Sequence, residues 1–313
     1  MTRVAGIDCG TNSIRLLVAD IADGALQDVV RRMEIVRLGQ DVDRTGMIDP
    51  AALARALDTT ARYAQECRDL GVERIRYVAT SATRDAANRA EFVEGVRALI
   101  GVSPEIISGD EEAALSFAGA TSALRDEPDP VLVVDIGGGS TELVLGSGGR
   151  VTSSYSMDVG SVRMRERHLH SDPPTDAQLD AARADIRALL DAAGDVVDLG
   201  ATRTLVGVAG TVTTLTGEVL GLDHYDPALI DGATMTIADA QRACEWYLRA
   251  DHDARASRGY LHPGRVDVIA AGALVWSEVM ARVQRDVEAA GGVLATTTTS
   301  EHDILDGIAL SLA

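Results

Sequence analysis

The stretch Val133–Gly146, VVDIGGGSTELVLG, sets Asp135 and Glu142 on either side of three consecutive glycines, Gly137, Gly138 and Gly139, followed by Ser140 and Thr141. The glycines and hydroxyls at this spacing suit a bound oxyanion. Glycine backbone at φ > 0 turns successive N–H groups toward one point, and hydroxyls add donors. The two carboxylates have the chemistry to take a divalent ion or to orient a water. A dinucleotide fingerprint is excluded: it needs a third glycine and then a helix, whereas Glu142 stands in that place and LVLG continues as strand. The expected local structure is therefore a hairpin turn over Gly137–Ser140. A carboxylate beside such a turn also serves simply to satisfy turn amides.

The unit occurs twice. VAGIDCGTNSIRLLVAD lies over VLVVDIGGGSTELVLG at a constant offset of 127 residues, so Asp8 falls on Asp135, Gly10 on Gly137 and Ser13 on Ser140. Thr11, Asn12 and Ser13 supply the side-chain donors in this first copy. Roughly 70 residues after each aspartate comes a strand ending in small hydroxylic residues. One is VATSATR, with Ser81, Thr83 and Arg84; the other is VAGTVTT, with Gly210 and Thr211. Matched features in the same order indicate duplication. Two copies imply two similar lobes facing across a cleft, with the paired turns clasping a phosphate chain from both sides.

The elements that must hold these residues are readable. Strand-like runs cover 4–8, 14–20, 75–79, 131–135, 142–146 and 205–209, with helices between them, which makes the chain α/β. Asp49 and Pro50 open a helix that closes at Gly71. Thr175 and Gln178 form a capping box for a segment running to about Gly194, and Ser300 with Asp303 reads as a looser box for the last helix. A further helix starts near Asp110, with Glu111 and Glu112 in its first turn, where acidic residues complement the helix dipole. The boundary between lobes is expected in LRDEPDP, residues 124–130, giving lobes 1–124 and 125–313 with the last helix free to pack back on the first. In GSVRMRERHLH, the alternating Arg163, Arg165 and Arg167 share one side if the stretch is extended, which reads either as a funnel for a polyanion or as a solvated edge.

Composition narrows the classes. The formal net charge is −19, which argues against a nucleic-acid or anionic-membrane surface and requires a local cationic patch or a metal for any polyanionic substrate. All 29 basic residues are arginine. Without lysine, a Walker-type phosphate loop, a protein-kinase site and a Schiff-base enzyme are excluded. Cys9, Cys67 and Cys244 are scattered and odd in number, which argues against a disulfide framework and fits a reducing cytoplasm. The opening MTRVAGIDCG lacks the features of a secretory signal.

Together these motifs resemble the acetate kinase, sugar kinase, Hsp70 and actin superfamily. Within it they are similar to the exopolyphosphatase and guanosine pentaphosphate phosphohydrolase family. The resemblance runs from AGIDCGTNSIRLLVAD through YVATSATRDAANRAEF, EIISGDEEAALSFAGA, VVDIGGGSTELVLG and GVAGTVTTL to VIAAGALV and SEHDILDGIALSL. Cys9-Gly10-Thr11 departs from the aliphatic-Gly-Ser of many members but keeps the hydroxyl. Long members carry a further helical C-terminal region, and by this resemblance a 313-residue chain is expected to act without it.

The resemblance implies two ribonuclease-H-like lobes and release of terminal phosphate from inorganic polyphosphate, with Mg²⁺ or another divalent cation held by Asp135 and Glu142. It carries the catalytic base onto Glu112, with Glu111 as fallback, and turns Arg84 toward the substrate phosphates. Guanosine pentaphosphate is the alternative substrate. An ATP-dependent small-molecule kinase and a non-catalytic polyphosphate sensor are more distant readings. A homodimer is expected.

Overall fold

The computed structural model describes residues 2–22, 25–124 and 127–313. Arg125 and Asp126, within the expected boundary stretch, lie outside the described residues. The chain divides into two compact units, Met1–Gly119 with Asp303–Ala313, and Ala120–His302.

The first unit opens with β1 (Thr2–Cys9), β2 (Ser13–Ala22) and β3 (Ala25–Ile35). There follow α1 (Val42–Thr45), α2 (Pro50–Asp69), β4 (Arg74–Ala79), α3 (Ser81–Asp85), α4 (Arg89–Ile100), β5 (Glu105–Ile106) and α5 (Gly109–Ala123). Its sheet has the order β3-β2-β1-β4-β5. β1 pairs antiparallel with β2 and parallel with β4, and Asp8 is level with Arg15 on one side and Val78 on the other. A strand covered on both faces reads as an unbroken apolar run, and β1 is buried from Val4 to Cys9. Asp49 caps α2 by accepting from the N–H groups of Ala51 and Ala52.

The second unit repeats the plan with β6 (Val131–Ile136), β7 (Thr141–Ser147), β8 (Arg150–Met157), α6 (Ser161–Arg167), α7 (Asp176–Gly194), β9 (Thr204–Val208) and α8 (Ala209–Leu220). It continues with α9 (Pro227–Ile230), β10 (Thr234–Thr236), α10 (Ile237–Arg249), α11 (His252–Ala256), α12 (Ile269–Ala289) and β11 (Thr296–Thr299). The sheet order is β10-β11-β9-β6-β7-β8. β6 is flanked antiparallel by β7 and parallel by β9, with Asp135 level with Glu142 and Val208. The Thr175–Gln178 capping box starts α7. The apolar helix α12 is core rather than surface, with Leu274, Trp276, Val279 and Val283 fully buried.

Two expectations need correction. The arginine run 163–167 is the helix α6, not an extended stretch, so Arg165 points away from the face that carries Arg163 and Arg167. Arginine is a good helix former, and the carbonyls of the preceding glycine turn cap the helix start. The last helix, α13 (Ile304–Leu310), is capped by Asp303 with Asp306 completing the box, not by Ser300.

α13 rests on β1 and β2, with Leu305 and Ala309 against Val4, Leu17 and Ala19. It crosses α5 closely: a Cβ on Gly119 would lie 1.8 Å from the Asp303 carbonyl oxygen, and one on Gly307 would lie 2.0 Å from that of Leu115. Backbone on both sides leaves no room to yield. Gly119→Ala is therefore expected to lower stability by about 1–3 kcal/mol and to expose the C-terminal helix to protease, read by denaturant unfolding and limited proteolysis.

Candidate active site

Both glycine turns close in the same way. The Gly10 N–H donates to the Ser13 carbonyl at 3.0 Å, and the Gly137 N–H to the Ser140 carbonyl at 3.0 Å. The turns do not work through φ > 0, however, because none of Gly10, Gly137, Gly138 and Gly139 is among the left-handed glycines. Their amides are aligned from behind. The Gly137 carbonyl accepts from Ser161 N–H at 3.0 Å, Gly138 from Val162 and Arg163 N–H at 2.8 and 3.1 Å, and Gly139 from Arg163 Nε at 2.7 Å. In a planar trans peptide the N–H points opposite to the C=O. Three carbonyls drawn toward α6 therefore turn the N–H groups of Gly138, Gly139 and Ser140 to the far side. No acceptor among the described residues takes them.

The first unit repeats the device. The Thr11 carbonyl accepts from Gly39 N–H at 2.8 Å, and the Asn12 carbonyl from Val36 and Arg37 N–H at 3.0 and 2.9 Å. The N–H groups of Asn12 and Ser13 accordingly face away from that loop. Glycine is required on the clamps. A Cβ on Gly160 would lie 2.4 Å from the Gly138 carbonyl atoms, and one on Gly39 would lie 2.3 Å from Thr11 Cγ2.

The carboxylates stand at the strand ends. Asp135 and Glu142 are directly opposed across the β6–β7 ladder, so their side chains share one face of the sheet. Both are buried, and Glu142 Oε1 accepts from Ser156 Oγ at 2.7 Å. The equivalent pair in the first unit is Asp8 and Arg15, with Arg15 Nη2 and Nε on Asp8 Oδ2 at 2.6 and 3.0 Å. Burial raises the Asp8 carboxyl above the ordinary aspartate range, and Arg15 partly opposes the shift. Asp8 Oδ1 is buried without a hydrogen-bond partner.

The two adjacent glutamates separate cleanly. Glu111 is half exposed and bonds Arg76 Nη2 at 2.5 Å. Glu112 is buried and meets Arg84 Nη1 at 3.2 Å, while the same Nη1 donates to the Ile107 carbonyl at 2.9 Å. Successive helical residues diverge by about 100°, so only one of the pair faces inward with Arg84.

The hydroxyls largely serve the scaffold. Thr11 Oγ1 and Ser81 Oγ pair at 2.9 Å, joining the first turn to the β4–α3 junction. Thr141 Oγ1 donates to the Val159 carbonyl at 2.6 Å. In the second unit Thr211 packs against Gly272 of α12, whose missing Cβ would lie 2.4 Å from Thr211 Oγ1. The arginines of α6 do not form the single-sided extended row that the sequence suggested. Arg163 is buried behind the glycine turn, and Arg167 lies 3.5 Å from Asp185.

Two residues beside the β9–α8 junction escaped sequence reasoning. Ala209 holds φ 66°, a left-handed conformation that costs a non-glycine residue energy and is typical of functional turns. Arg265 lays its guanidinium over Gly210, where a Cβ would fall 1.2 Å from Nη1. Nothing in an alanine signals the first. The isolated arginine in LHPGRVD gave no spacing cue for the second.

A duplicated α/β fold, each copy ending its central strand in an aspartate beside an amide-lined turn, defines the class: a protein built to hold phosphoryl groups. The chain belongs to the Ppx/GppA phosphatase family, whose model matches residues 17–298. It is 49% identical to exopolyphosphatase 2 of Mycobacterium tuberculosis over 323 aligned positions, covering 100% of this chain and 99% of that protein. Among solved structures it is similar to an exopolyphosphatase-like protein at TM-score 0.97 and 46% identity, covering 100% of this chain and 98% of the other. The Aquifex aeolicus PPX-GPPA enzyme aligns at TM-score 0.81 and 29% identity, over 99% of each chain.

If α6 aligns the turn, disturbing their contact must disturb the site. Gly160→Ala should displace Gly138, lowering kcat/KM for phosphate release by at least about tenfold, with a stability loss of about 1–3 kcal/mol. Steady-state kinetics beside thermal unfolding checks both.

Proposed function

We propose that this chain is an exopolyphosphatase that removes terminal orthophosphate from inorganic polyphosphate by direct attack of water. The observation that carries the reading is the turn at Gly137–Ser140, where three aligned amides lie beside two carboxylates on one sheet face. Amides fixed in advance stabilise phosphate oxygens without reorganising during the reaction. A bound divalent ion would add charge neutralisation of the phosphate oxygens. Asp135 and Glu142 fit such an ion in chemistry, as hard oxygen donors on one face. Among the described residues no group of three or more His, Cys, Asp or Glu is disposed to hold an ion. A Mg²⁺ there would keep waters and phosphate oxygens as its other ligands.

Glu112 is the general base in this reading. Its carboxylate accepts the proton of the attacking water, and the contact with Arg84 fixes its orientation. Arg84 uses Nη1 for Glu112 and Ile107, which leaves Nε and Nη2 for a phosphate oxygen. Asn12, Ser13, Gly10 and Thr11 form the matching turn of the first unit, and Gly210, Thr211 and Arg265 the strand–helix junction of the second. The three cysteines are free and buried, which supports a reducing, cytoplasmic setting. No helix among the described residues is long and apolar enough to cross a membrane.

The test is phosphate release from polyphosphate with Mg²⁺ present. Glu112→Gln should cut kcat by about 10²- to 10⁴-fold, the span of a lost general base. Glu111→Gln removes an exposed ion pair and should stay within about threefold of wild type. Equal losses in the two variants would reject the assignment of the base. Release from guanosine pentaphosphate with polyphosphate inert would transfer the activity to that substrate.

A further inference from the structure

The duplication is broken at one chemically decisive position. Residue 142, facing Asp135, is a glutamate; its counterpart facing Asp8 is Arg15. The second unit thus opposes two carboxylates, while the first supplies its own cation. Arg15 is also held from its other side. Nη1 bonds Asp303 Oδ2, and Asp303 caps α13 at the point where the chain re-enters the first unit. Asp303 in turn presses its carbonyl onto Gly119 of α5, the helix that carries Glu112, and Gly307 seats on the Leu115 carbonyl of the same helix.

We propose that Arg15, anchored by Asp303, is a positioning residue that saturates Asp8 Oδ2 and leaves Oδ1 as the single accepting oxygen at the first turn. The α13 segment registers both first-unit carboxylates at once, Asp8 through Arg15 and Glu112 through the α5 crossing. The geometry explains why Asp8 Oδ1 is buried yet unpartnered while Oδ2 takes two N–H donors. It also assigns the first turn no ion of its own, because a guanidinium already stands where the second turn has Glu142. This inference rests on the exopolyphosphatase reading for its kinetic consequence, but not for its structural one.

Three variants test it. Arg15→Lys keeps a charge but loses the planar fork that spans two carboxylates. Arg15→Ala removes the link. Asp303→Asn preserves the helix cap through its single amide oxygen and removes the charge and the second acceptor oxygen that anchor Arg15.

The expected result is a fall in kcat of about 10- to 100-fold for Arg15→Ala, with KM changed less than about threefold. Arg15→Lys and Asp303→Asn should fall in between, and guanidinium ion should restore part of the Arg15→Ala rate. Amide hydrogen exchange at Gly10, Val36 and Arg37, whose N–H groups bond the carbonyls of the turn, should rise in all three. Unchanged exchange and kcat in Asp303→Asn overturn the anchoring. A rate loss in Arg15→Ala that guanidinium does not rescue, alongside wild-type exchange at the turn, overturns the positioning role. A wild-type protein inert toward polyphosphate would sink the functional reading alone, and the exchange measurement would still decide this one.

Discussion

The site depends on one constraint of sheet geometry: a central strand bonded on both edges ends level with both neighbours. β1 lies between an antiparallel partner and a parallel one, and so does β6. Asp8 is thereby aligned with Val78, and Asp135 with Val208. The hairpin turn and the strand–helix junction must then emerge side by side, because the ladders that fix the strands also fix where the chain leaves them. Nothing further is needed to bring Thr11 to Ser81. A one-residue slip would send every side chain of the strand to the opposite face, so burial of both strands protects the register and with it the site.

Within that frame the amide cradle is a consequence of what lies behind it. A tight turn with unpartnered amides would wander among conformations if its carbonyls were also loose. Here α6 and the loop at 36–39 hold the carbonyls, and peptide planarity does the rest. The glycines are needed less for left-handed torsion angles than for closeness, as Gly160 against Gly138 and Gly39 against Thr11 demonstrate. The same logic explains a buried arginine in a chain of high negative charge. Arg163 donates to the Gly139 carbonyl, and its 8% exposure makes it a structural strut rather than a surface charge.

What was legible follows the physics of each signal. The apolar runs of β1, β2, β4, β6, β7 and β9 betray strands covered on both faces, and side-chain caps such as Asp49 and Thr175 declare helix starts within a few residues. Glu112 was placed by resemblance alone, since spacing cannot say which of two adjacent acids turns inward. The strand β3 was missed because ALQDVVRRMEI lies at a sheet edge with mostly exposed side chains, and its polar residues hide the strand pattern. The helix α6 was misread because main-chain carbonyls cap it, and a main-chain cap leaves no mark in the residue types. Arg265 and Ala209 share that invisibility: their importance lies in what they touch and in a torsion angle, not in their identity.

The arginine-only composition bears on why the cradle is made of amides at all. In this acidic chain one guanidinium repeatedly bridges two carboxylates: Arg15 spans Asp8 and Asp303, Arg31 spans Asp28 and Asp306, and Arg76 spans Glu105 and Glu111. The planar fork suits this doubling, whereas an ammonium offers a point charge. Side-chain cations so engaged are poor candidates for a mobile polyanion, because a phosphate would have to displace a carboxylate already at contact distance. Main-chain N–H groups carry no net charge and attract no competing side chain from a distance. A chain with a surplus of acids therefore keeps an anion site open more readily by building most of it from backbone.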